Sequence, residues 1–175
     1  MLDLKLVSVA GRTKVVRQYQ RAPLHILRPI HLVLARSDMG FVFHQQQGDG
    51  LVQGHRYRMD IDCVPAPPRT SRPRPPPRSS ARDNFATPLV NLHVGESAVL
   101  EYLPDPIVPF RTWRLFQRPC LTAAPDATVI LVEILLPGRV AHDEAHAYDL
   151  CWMETEVRVP EGTLLSWHSA EVRRA

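Results

Sequence analysis

Apolar and polar positions alternate along much of this chain, and the period is two. Between Arg56 and Val64, the apolar residues Tyr57, Met59, Ile61 and Cys63 interleave with Arg58, Asp60 and Asp62. Successive side chains of an extended strand point to opposite faces, so the apolar set lies on one face and the charges on the other. Val90, Leu92 and Val94 alternate with Asn91 and His93 in the same way, and Val157 and Val159 flank Arg158. Residues 129–136 form a continuous apolar run interrupted by Glu133 and bounded by Pro125-Asp126 and Pro137-Gly138. Such a run predicts a strand buried on both faces. Residues 24–34 predict a strand broken near Pro29. Turn signals recur at Gly48-Asp49-Gly50, Gly95-Glu96, Pro104-Asp105-Pro106, Pro137-Gly138 and Glu161-Gly162. No window keeps an apolar stripe at helical spacing. The pattern predicts an all-β fold, a β-helix-like or sandwich-like stack of short strands with little helix. No repeat of fixed period marks a regular solenoid.

Residues 65–82 break the pattern. They hold seven Pro and five Arg, with Ser, Ala and Thr and no large apolar side chain. Proline removes ladder donors and blocks a helix interior, so an extended, disordered loop is expected. This segment also sets the charge of the whole chain. The net charge is +3, but without these residues 16 basic groups face 18 acidic ones. A basic patch of this kind raises a nucleic-acid or acidic-partner reading, yet no aromatic side chains are interleaved for base stacking. Arg outnumbers Lys 19 to 2, as expected of a GC-rich gene.

The length of 175 residues fits one domain over 1–175. Apolar content of 45% and charged content of 22% exclude wholesale disorder, and no run reaches the roughly 18–20 apolar residues of a spanning helix. The first residues show no basic start followed by an apolar run, which predicts a cytoplasmic protein without a membrane partner. Cys63, Cys120 and Cys151 are widely spaced and form no disulfide framework.

Four stretches, taken in order, resemble the urease accessory protein D family. Residues 100–110, LEYLPDPIVPF, are similar to its most recognisable signature, carried by Leu100, Glu101, Tyr102, Leu103, Pro104, Asp105, Pro106 and Phe110. Residues 45–63, with Gly50 and Gly54, resemble a glycine-rich segment and the strand after it. Residues 11–29 resemble the N-terminal strands, and residues 126–149, with Pro137, Gly138 and Arg139, resemble a P-G-R segment. The resemblance covers about three quarters of the chain. Where the family carries a Thr-Thr-Gln segment, this chain carries residues 65–82, and His55 stands where the family has Asp. A compensated pair of frameshifts in a GC-rich gene accounts for the first departure. The chain is shorter than the family's usual length, and from Ser166 onward it is expected to leave the family pattern.

The resemblance implies a non-enzymatic chaperone of urease maturation. It implies partners in apo-urease and in accessory proteins F and G, the latter a GTPase, and transient nickel with no tightly bound cofactor. Glu101 and Asp105, held on a proline-stiffened segment, are the candidate carboxylates for a nickel route. A degraded copy without activity is the alternative. His142 and His146 would share a helix face as metal ligands, but Pro137-Gly138 and the β-like context favour an exposed hairpin. A metallohydrolase built on them is a third reading. Gly48, Gly50 and Gly54 lack the Lys-Ser/Thr of a phosphate loop and precede a strand, so tight turns with positive φ are expected. No nucleophile with an ordered base is present, and the expectation is that the protein is not an enzyme.

Overall fold

The computed structural model describes residues 1–32, 37–48, 50–65 and 85–173. Apart from Pro65, the proline- and arginine-rich segment lies outside the described residues. The expected disordered loop over 65–82 is thus, but for its first residue, outside the described residues.

Thirteen strands are described: β1 (Leu2–Val9), β2 (Arg12–Gln20), β3 (Leu24–Ile26), β4 (His44–Gln46), β5 (Arg56–Val64), β6 (Thr87–Val94), β7 (Val99–Tyr102), β8 (Arg114–Ala123), β9 (Thr128–Leu131), β10 (Gly138–Arg139), β11 (Glu144–Ala145), β12 (Leu150–Arg158) and β13 (Leu164–Arg173). A single 3-10 turn, Val140–His142, is the helical element among the described residues. The all-β expectation holds.

Seven strands form one sheet in the order β13-β12-β8-β6-β5-β1-β2. Its five inner strands run parallel, and the antiparallel hairpin partners β2 and β13 sit at the edges. Parallel neighbours need a crossover. Between β6 and β8 the crossover carries β7; between β8 and β12 it carries β9. β7 and β9 pair in parallel over one face of the large sheet. The chain therefore coils through two layers, as in a β-helix. β3–β4 adds an antiparallel pair to the layer facing that sheet.

The core lies between the layers. Leu2, Leu4 and Leu6 from β1, Met59 from β5 and Val90, Leu92 and Val94 from β6 meet Leu100 of β7 and Leu24 and Ile26 of β3. Alternation puts the opposite set on the outer face, where it forms ion pairs: Arg17 with Asp3 and Asp62, Arg58 with Asp60, and Arg118 with Glu156. A second cluster of Ala86, Trp113, Leu115, Tyr148 and Cys151 fills the other end.

Two expectations are corrected, and one strand is added. Residues 129–136 are not buried on both faces: Ile130, Val132, Ile134 and Leu136 are exposed, while the alternate positions turn inward. Within 24–32, regular strand is confined to β3, and Ile30 makes an isolated bridge to Phe41. Central β8 escaped sequence reading because Gln117 and Pro119 occupy inward positions where apolar residues are expected. Pro119 has no N–H to donate, and the β8–β12 pairing lapses between Met153↔Gln117 and Glu156↔Cys120 without a change of register.

Candidate functional site

A pocket of about 380 Å³ opens between the two layers. Its walls come from the large sheet (Tyr57, Met59, Val90), from Trp113 just before β8 and from residues 102–110 of the facing layer. The signature segment is thus one side of the pocket. Its prolines explain the shape: Pro104 and Pro106 hold the chain extended and withdraw donors, so β7 pairing lapses after Tyr102 and resumes at the Ile107↔Leu135 bridge. Pro104, Asp105, Pro106, Ile107, Val108 and Phe110 all line the cavity.

The two carboxylates proposed from sequence are not brought together. Asp105 lines the pocket, whereas Glu101 is exposed on β7 and is not among the lining residues. A different carboxylate, Glu133, enters from the segment after β9. Gln117 Nε2 donates to its Oε1 and Thr155 Oγ1 to its Oε2 (2.8 Å). The signal for Glu133 was present in the sequence as the one charge inside an apolar run, on the same strand face as Val129, Leu131 and Leu135.

His44 of β4 also lines the pocket. Desolvation lowers its pKa below the usual histidine value, and the Asp105 carboxylate opposes that shift in part. A lowered pKa leaves the imidazole neutral at pH 7, with a lone pair able to bind a metal. Burial raises the Tyr102 phenol well above its ordinary value, and the nearby Glu133 charge raises it further. Trp113 Nε1 is buried with no hydrogen-bond partner. The chamber is therefore apolar-walled, with a small acidic and imidazole set at separate points.

A knot of side chains adjoins the pocket through Phe110. Arg139 grips Glu144 with two hydrogen bonds of 2.7 Å, and its guanidinium lies 4.7 Å from the centre of the Phe110 ring. The Arg111 amide donates to the same carboxylate at 3.3 Å. Gly138 has φ +120°, and a Cβ there would lie 2.3 Å from the Glu144 carbonyl oxygen. The P-G-R segment thus clamps the end of the LEYLPDPIVPF segment, so two stretches far apart in sequence act as one piece. Gly50 (φ +85°) lines the pocket from a turn; Gly54 (φ +82°) turns the chain into β5.

His142 and His146 lie exposed on the β10–β11 hairpin, His142 in its 3-10 turn and His146 with φ 53°. Among the described residues no three His, Cys, Asp or Glu side chains converge as a metal-ligand set. No helix among them is long and apolar enough to cross a membrane.

Strands wound through two layers around a largely apolar chamber define a β scaffold with a pocket between its layers. Comparison with known proteins gives that scaffold a family. The family model described as UreD urease accessory protein matches residues 76–174, and the chain belongs to this family. The match reaches residue 174, so the stretch from Ser166, expected to have left the family pattern, lies within it. Urease accessory protein UreD 2 of Streptomyces griseus is 35% identical over 167 residues, covering 95% of this chain and 57% of the relative. Urease accessory protein UreD of Cenarchaeum symbiosum is 28% identical over 165 residues, covering 94% and 58%. Urease accessory protein UreD 2 of Brucella ovis is 30% identical over 157 residues, covering 88% and 52%. The chain spans just over half the length of these relatives.

Proposed function

We propose that this protein serves urease maturation as a non-enzymatic scaffold, joining apo-urease to accessory proteins F and G and giving nickel a sheltered passage. Family membership carries the first part of this reading. The passage is supported by one observation: the family's signature segment forms a wall of the interlayer pocket, whose lining includes Asp105, His44 and Glu133, side chains of metal-ligating type. Nickel accepts oxygen and imidazole nitrogen ligands. Ligands held singly, rather than as a converging set, bind such an ion weakly and release it, which suits a cargo in transit. Glu101 stays outside this route, on the exposed face of β7.

The test is urease activation in cells lacking their own copy of this protein, with urease and its other accessory proteins supplied. Asp105→Asn and Glu133→Gln are expected to lower nickel loaded per urease, read by metal analysis, by roughly tenfold, the effect of losing one metal-ligating group. Co-purification with apo-urease is expected to be unchanged. Glu101→Gln is expected to leave both readouts alone. Full loading by the Asp105 and Glu133 variants would reject the passage; absence of co-purification by the parent chain would reject the scaffold.

A further inference from the structure

The outer face of the β7–β9 layer carries an apolar stripe that nothing among the described residues covers. Register places Glu101 beside Ile130 and Ile107 beside Leu135. The exposed apolar positions along the two lines are Leu103 and Val108 on one, and Ile130, Val132, Ile134 and Leu136 on the other, with Val108 and Ile134 also bordering the pocket. Leu103 is 60% exposed, and the remaining five are 36–47% exposed. Soluble monomers rarely present a contiguous apolar stripe of this kind without a use for it.

We propose that this face binds the same face of a second copy of the chain. The stripe is self-complementary about a two-fold axis lying between the faces and across the strands. Such an axis reverses strand direction and leaves each line over its own counterpart. Ile130 then meets the other copy's Leu136, Val132 meets its Ile134, and Leu103 meets its Val108. The charges fit the same operation. One end carries the exposed Glu101. The opposite end carries Arg139 stacked on Phe110 and the half-exposed Arg111, two guanidinium groups sharing the single Glu144 carboxylate. Each copy's Glu101 faces the other's arginine pair.

Two strands of about nine residues give a face roughly 30 Å long. That is a narrow contact beside the roughly 800 Å² per partner of a standard interface. The dimer is accordingly expected in the micromolar range, dependent on concentration. This reading goes beyond the maturation role and does not require it.

Sedimentation velocity of the purified chain across micromolar concentrations tests it. The expected result is a mass that doubles with concentration. Leu103→Lys should weaken association at least tenfold and Glu101→Arg severalfold, with circular dichroism and melting temperature unchanged. Trp167→Ser on the exposed edge strand β13 should leave association intact. A chain that stays monomeric throughout overturns the proposal. So does association lost in Trp167→Ser but kept in Leu103→Lys, which would move the contact to the sheet edge. Should Leu103→Lys fail to fold, Glu101→Arg decides.

Discussion

At Glu144 a nearly buried carboxylate is held by the Arg139 fork and by the Arg111 amide. The Arg139 hydrogen bonds hold its pKa below the usual glutamate value; desolvation opposes them, and Arg111 adds to them. A depressed folded pKa contributes stability that is complete above the unfolded value and lost as pH falls through the folded one. Glu144→Gln should therefore melt lower than the parent at pH 7, and the gap should close as pH drops below about 4.5, the unfolded reference. Thermal melts of both proteins between pH 3 and 7 check this; a gap independent of pH would contradict it. Burial also pushes Glu156 up, but Arg118 and Arg158 outweigh it and leave that carboxyl lowered too, so acid weakens both clamps. Sequence reading found Gly138 and Arg139 through a family resemblance but not Glu144. The bond between them depends on a hairpin whose closing register, Arg139↔Glu144, no periodicity announces.

At the scale of the element, β5 and β6 were legible because their alternation is clean. Both have a core on one side; on the other β5 carries the ion-paired Arg58, Asp60 and Asp62 and β6 carries Asn91, which donates to Asp60, so local pattern and tertiary role agree. The stretch from β9 to Leu136 was misread because an apolar run does not state how many faces are covered. It lies in a two-stranded layer with a core on one side only. This difference is measurable. Leu92→Ala, at a position 1% exposed in the core, should cost about 2–5 kcal/mol in urea denaturation. Ile130→Thr, at a position 47% exposed, should cost less than about 1 kcal/mol. Comparable losses at both would restore the two-face reading. β13 likewise leaves large apolar side chains open: Leu164, Leu165 and Trp167 are all exposed.

Across the whole molecule the two sheet edges are managed differently. β2 carries Arg12, Lys14 and Arg17, charges that discourage pairing with a further strand, and the Thr13 amide is already bonded to the Asp38 carbonyl. β13 has neither protection along its apolar half. Strands paired on both sides open only with the whole sheet, whereas edge strands fray alone. Native-state hydrogen exchange is therefore expected to be slowest in β6 and β8 and fastest in β13. Slow exchange throughout β13 in the isolated chain would show that its edge is occupied.

The sequence by itself determined that strands dominate, where most turns fall, and, through four ordered motifs, the family to which the chain belongs. Those properties are written in neighbouring residues, in period-two alternation and in glycine and proline placed where the backbone must turn. Only the tertiary structure decided that Asp105 and Glu133 share a chamber while Glu101 does not, that Arg139 closes on Glu144, and which apolar faces remain open. Each of these depends on which strands lie beside one another in the coil. Parallel pairing through long crossovers joins residues whose separation along the chain carries no local signal.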